Sequence, residues 1–185
     1  MPRLQLEKER QVMKYLYTPY DIAVFFVVSD FTRSYEQAVL RNLWENDTSS
    51  LPAKYRKDKT LFRRHINFEL SKFDGSLDDL DELNILMSDT ESPFSLDGGI
   101  NEQDIIESYF KIVKLELSYV PNRDYSKIKL RTLLKAFGYK RRSSQLVANI
   151  QRTLKTLQLK TYLKGYERCN IAEISIDAMV MIRLS

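Results

Sequence analysis

The side chains best suited to bind a ligand lie between Lys140 and Arg168. Lys140, Arg141 and Arg142 are three successive cations, followed directly by Ser143 and Ser144. Gln145 and Asn149 stand four apart, so a helix puts both amides on one face, and Arg152 follows a turn later. Asn and Gln amides pair bidentately with adenine edges and Arg with guanine, while clustered Lys and Arg neutralise phosphates. Lys164 and Arg168 add two more cations. Residues 121–170 hold 13 Lys/Arg against two acids, Asp124 and Glu167. That is chemistry for a nucleic acid. The expected contacts are Lys140, Arg141, Arg142, Ser144, Gln145, Asn149, Arg152, Lys164 and Arg168.

Other chemistries find little support. One histidine (His65) and one cysteine (Cys169) remove every multi-His or Cys/His zinc pattern and any internal disulfide. His65 reads as a helix-surface or packing residue. Cys169 adjoins Arg168, and a neighbouring cation lowers a thiol pKa, but its plain reading is an incidental residue. Asp78, Asp79, Asp81 and Glu82 crowd one short stretch and do not converge on a point as a hard-cation site requires. Neither a Gly-x-Gly-x-x-Gly nor a phosphate-binding loop occurs. No enzyme activity, metal or cofactor is expected.

The 185-residue chain has a formal charge of only +4, but its distribution is uneven. Residues 1–73 carry net +4, residues 74–107 net −11 with no basic residue, and residues 108–185 net +11. This partition predicts a helical domain over 1–75, an acidic linker over 76–100 and a basic domain over 101–185. The acids of the linker keep it soluble, or act as phosphate mimics that occupy the basic surface. The N-terminus lacks the apolar run of a signal peptide, and Ile22–Val28 is far shorter than the ~20 residues that cross a bilayer. An intracellular, cytoplasmic location on nucleic acid is expected, with no membrane contact.

Helical spacing must then position these groups. It predicts helices over residues 4–17, 20–31, 31–45 and 53–73, the last with Lys54, Arg56, Lys57, Lys59, Arg63 and Arg64 on a solvated or phosphate-contacting face. A short acidic helix over 77–87 precedes a loop. Asn101 opens a helix closing before Pro121; residues 125–129 are extended; residues 130–137 (LRTLLKAF) form a compact helix stopped by Gly138. A helix over 144–157 follows, capped by Ser143 or Ser144. It has Leu146, Val147, Ile150, Leu154 and Leu157 on one face, and Gln145, Asn149, Arg152, Thr153 and Thr156 on the other. Residues 159–164 are a strand, and alternation over 171–184 predicts two more short strands.

Residues 130–165, LRTLLKAFGYKRRSSQLVANIQRTLKTLQLKTYLKG, resemble the winged helix-turn-helix superfamily, with a longer turn than usual after Gly138. The resemblance spans about 101–184. It implies a mainly α fold: a helical N-terminal half plus a C-terminal winged helix with a small β-hairpin wing, or a tandem winged-helix arrangement. It implies double-stranded DNA as partner and a transcriptional regulator or the DNA-recognition subunit of a larger machine. The N-terminal helices then serve assembly, through a protein partner or a homodimer. The alternatives are a protein-interaction winged helix in a multiprotein complex and the DNA-binding part of a nuclease.

Overall fold

The structure, a computed structural model, describes residues 15–74, 102–164 and 166–185. The helix expected over 4–17 therefore falls almost wholly, and the acidic linker with its short helix entirely, outside the described residues. The described chain is mainly helical with one small antiparallel sheet, and it divides into two units, Tyr17–Arg123 and, with Tyr15 and Leu16, Asp124–Ser185.

In the first unit, α1 (Pro19–Ser29) begins on a capping box. The Thr18 hydroxyl accepts from the Asp21 amide at 3.2 Å, and the Asp21 carboxylate accepts from the Thr18 amide at 2.8 Å. Asp30, in a left-handed conformation at φ 48°, ends it. Helix α2 (Arg33–Asn46) and a 3-10 turn (Thr48–Ser50) lead to α3 (Ala53–Arg56) and α4 (Lys59–Asp74). The single helix expected over 53–73 is thus broken. Asp58 is the cause: its carboxylate accepts from the Leu61 amide at 2.8 Å and its carbonyl from Phe62, so it starts a helix rather than continuing one.

Helix α5 (Glu102–Tyr119) packs with α4 on either side of α1, around Ile22, Phe25, Phe62, Ile66, Ile106 and Phe110. The sequence grouped α5 with the basic C-terminal residues, whereas here it belongs with the N-terminal helices, and the division falls after Arg123. Two contacts account for that. The Phe25 and Tyr119 rings lie 6.3 Å apart, and buried Lys111 sets its ammonium 3.3 Å from the Asp21 carboxylate and 3.0 Å from Glu107.

The second unit runs β1 (Ser126–Lys129), α6 (Leu130–Ala136), α7 (Ser144–Thr156), β2 (Leu159–Tyr162) and β3 (Met179–Leu184). The sheet order is β1-β3-β2, antiparallel throughout. Leu130, Leu133, Leu134, Leu146, Ile150 and Ile182 fill its core. Helix α6 closes on Gly138 at φ +84°, with the Gly138 amide donating to Lys135 and the Tyr139 amide to Leu134, a Schellman cap. Only 179–184 of the alternating C-terminal stretch forms a strand. The Ile176 and Ala178 carbonyls instead accept from the Arg131 and Leu130 amides at the start of α6, which takes that backbone out of any ladder.

Candidate nucleic-acid interface

Helix α7 is the element that carries the expected contacts. Ser143 caps it, its hydroxyl accepting from the Leu146 amide at 3.2 Å. Its buried side holds Leu146, Val147, Ile150 and Leu154, and it is wider than the apolar residues alone predict. Asn149 and Thr153 are only 7% and 3% exposed, and the Thr153 hydroxyl donates to the Asn149 carbonyl at 3.0 Å. The expected pair is therefore split: Gln145 is exposed, while Asn149 lies under it and accepts its amide N–H at 3.2 Å. Asn149 supports Gln145 rather than facing solvent.

The outward stripe of α7 consists of Ser144, Gln145, Ala148, Gln151, Arg152 and Lys155, all exposed. These recur at three and four residues, so they form one surface of the helix. The stripe contains no acid. Ala148 sits at its centre, where a methyl side chain lets the helix approach a surface closely. Ala148, Gln151 and Lys155 were not picked out from the sequence, although their spacing from Ser144 and Arg152 carries that signal.

The flanking cations differ in role. Lys140 and Arg141 are exposed in the turn before α7. Arg142 is exposed too, but one guanidinium nitrogen donates to the Ile171 carbonyl at 2.8 Å and the Ile174 carbonyl at 2.7 Å. It ties the segment after β2 to the start of α7. A second tie runs from the Gln151 amide to Asn170 at 2.6 Å, and from Asn170 to Glu173 at 2.6 Å.

After β2 the chain turns at Leu163–Glu167 and comes back, pairing Arg168 with Tyr162; the Cys169 amide donates to the Thr161 carbonyl at 3.1 Å. Lys164 and Arg168 are both exposed on this hairpin. Gly165 lies outside the described residues. Between the hairpin and α7 runs an open cleft of about 440 Å³, with Lys155, Lys160 and Arg168 along it and Leu154 and Ile171 below. Cys169 also lines the cleft, and burial pushes its thiol up, opposing any lowering by the adjacent Arg168.

Four acids stand in this unit: Asp124, Glu167, Glu173 and Asp177. Glu173 accepts from Asn170, and Asp177 takes a bidentate pair of bonds from Arg131 at 2.7 and 2.9 Å. That pair holds the Asp177 carboxyl below, and the Arg131 guanidinium above, their ordinary ranges.

In the helical unit, Arg56 donates to the Leu51 and Ser49 carbonyls, and Arg63 to Gln37 at 2.5 Å. Two of the six cations on that expected basic face, Arg56 and Arg63, thus make local structural hydrogen bonds. His65 is 5% exposed, with Nδ1 2.6 Å from the Tyr55 hydroxyl. Burial pushes the Tyr55 phenol up to about 12 and lowers the His65 pKa, with Lys54 and Arg64 adding to the latter. The Tyr55 hydroxyl and Nδ1 share one buried hydrogen bond, and Nε2 has no partner among the described residues. His65 is a packing residue.

Among the described residues no cluster of three His, Cys, Asp or Glu has metal-holding geometry, and no helix is long and apolar enough to cross a membrane. No family model, curated protein or solved structure matches the chain.

Proposed function

We propose that Asp124–Ser185 is a winged helix-turn-helix that binds double-stranded DNA, with α7 in the major groove and the hairpin after β2 as the wing. The chain would then serve as a transcriptional regulator or as the DNA-recognition subunit of a larger machine. The observation that carries this reading is the acid-free outward stripe of α7, flanked by exposed Lys140 and Arg141 on one side and Lys164 and Arg168 on the other. The element order and the β1-β3-β2 sheet also support it. The membership of α5 in the other unit departs from the usual pattern.

Gln145 and Arg152 are the base-reading candidates, suited to adenine and guanine, and Ala148 admits close approach to the groove floor. Lys140, Arg141, Lys155, Lys164 and Arg168 neutralise phosphates. The N-terminus of α7 adds its amides for one of them. Fluorescence anisotropy with a random-sequence duplex at two salt concentrations tests the proposal. Binding should weaken steeply with salt and fall about tenfold in Arg152→Ala. Salt-insensitive binding, or an Arg152→Ala variant equal to wild type, would refute it.

A second reading concerns Tyr17–Arg123 as an assembly unit that pairs with a second copy of the chain. Val27 and Val28, at the end of α1, are 46% and 59% exposed without any structural need among the described contacts. Light scattering should find a dimer that Val28→Glu dissociates; a wild-type monomer removes this reading.

A further inference from the structure

The three-stranded sheet has a second face, turned away from its buried core and separate from the outward stripe of α7. Along β1 the burial alternates, with Lys127 and Lys129 exposed and Ser126 and Ile128 half-buried. The register places Lys127 opposite Met181 and Lys129 opposite Met179, while Lys160 and Tyr162 of β2 stand opposite Arg183 and Met181. Side chains alternate across a strand, so Lys127, Lys129, Lys160, Tyr162, Met179, Met181 and Arg183 share the face away from the buried Val180 and Ile182. No strand position on this face is acidic.

Two more rings join it. Tyr125 immediately precedes β1 and is 46% exposed; Tyr166, in the turn after β2, is 66% exposed and held at φ 68°. The Arg183 guanidinium lies 4.4 Å from the Tyr166 ring centre and 5.5 Å from that of Tyr125. A cation over two rings fixes their planes and leaves Tyr166 mostly open to solvent. Arg183 Nε is buried without a hydrogen-bond partner among the described residues, and its guanidinium lies against the two rings.

We propose that this face is a binding platform for single-stranded nucleic acid: unpaired bases stack on Tyr166 and Tyr162, and Lys127, Lys129 and Lys160 neutralise the strand's phosphates. The charge and the aromatic content argue for this occupant over a protein. Oriented rings beside a row of cations match alternating bases and phosphates, whereas a protein surface has no such repeat. A duplex does not fit the stacking sites, because its bases are already stacked on each other. The platform shares Tyr166 of the hairpin and Lys160 of the cleft with the neighbourhood of the proposed duplex surface but none of the α7 stripe, so Arg152 and Tyr162 separate the two readings.

Anisotropy of the full chain with labelled oligothymidylate and oligouridylate of about 12 nucleotides tests this, the two probes separating DNA from RNA. Tyr166→Ala and Tyr162→Ala should each weaken single-strand binding about tenfold, and Tyr162→Ala, outside the turn of the proposed wing, should leave duplex binding within about twofold. Tyr166→Phe should retain wild-type affinity, since a ring is needed and its hydroxyl is not. Replacing Lys127 and Lys129 together by Ala should reduce the slope of log affinity against log salt by about 1.4. Arg152→Ala should leave single-strand binding unchanged. Unaltered single-strand affinity in both Tyr→Ala variants, with their thermal unfolding unchanged, overturns the proposal. Equal loss of single-strand and duplex binding in Tyr162→Ala also overturns it, because the two would then share one surface.

Discussion

Neighbouring arginines of the basic turn separate binding from structure. Arg141 makes no hydrogen bond or ion pair among the described residues, so Arg141→Ala should weaken duplex binding several-fold and leave the thermal midpoint unchanged. Arg142 holds the Ile171 and Ile174 carbonyls, so Arg142→Ala should cost about 1 kcal/mol of stability as well. Paired denaturation and anisotropy measurements check the contrast; equal stability of both variants would contradict the structural role of Arg142. His65 offers a second test, being the only imidazole in the chain. Its folded pKa is lowered from 6.5, so the neutral form contributes stability that is complete above the unfolded value. That contribution declines as pH falls below about 6.5 and through the lowered folded value. The single imidazole NMR resonance should titrate below 6.5, and a midpoint at or above it would contradict the burial argument.

At the scale of elements, Gly138 is the clearest single test of how the turn before α7 is set. A Cβ there would meet nothing within 4 Å, so the cost of Gly138→Ala comes only from the positive φ of +84°. That strain is about 1–2 kcal/mol, and urea denaturation should find it, with Gly138→Asn costing less. Lys111 tests the α1–α5 join: Lys111→Ala leaves the buried Asp21 carboxylate without its ammonium and should cost about 3 kcal/mol. Gly138, the Ser143 cap and the bounds of α1, α2, α5, α6 and α7 were legible in the sequence to within a residue or two, because caps and helical spacing are local signals. The break at Asp58 was missed because a helix-starting carboxylate inside an amphipathic run looks like one more surface acid. The burial of Asn149 was missed for a related reason. The apolar residues of α7 mark the centre of its buried face, not how far neighbouring segments cover its edges. Which helix packs on which, and the way 171–178 spends its carbonyls on α6 and Arg142, depend on contacts distant in sequence that no local pattern encodes.

Over the whole molecule, the net charge of +4 is the sum of regions that oppose one another in any encounter with a polyanion. Exposed Lys140, Arg141, Arg152, Lys155, Lys164 and Arg168 allow at most about five ions to be released from a duplex, a slope of log affinity against log salt no steeper than about −5. Residues 74–107, at −11, are tied to the same chain and repel the same phosphates wherever they lie. Their repulsion is long-ranged at low salt and screened at high salt, since the Debye length falls from about 30 Å at 0.01 M to about 8 Å at 0.15 M. Neutralising Asp78, Asp79, Asp81 and Glu82 to Asn or Gln should therefore tighten duplex binding several-fold at low ionic strength, with little change at physiological salt. A gain that persists at high salt would point instead to direct occupation of the basic surface by these acids, as phosphate mimics. Affinity unchanged at every salt concentration would show that the acidic region plays no part in binding, leaving the cations of Asp124–Ser185 to act alone.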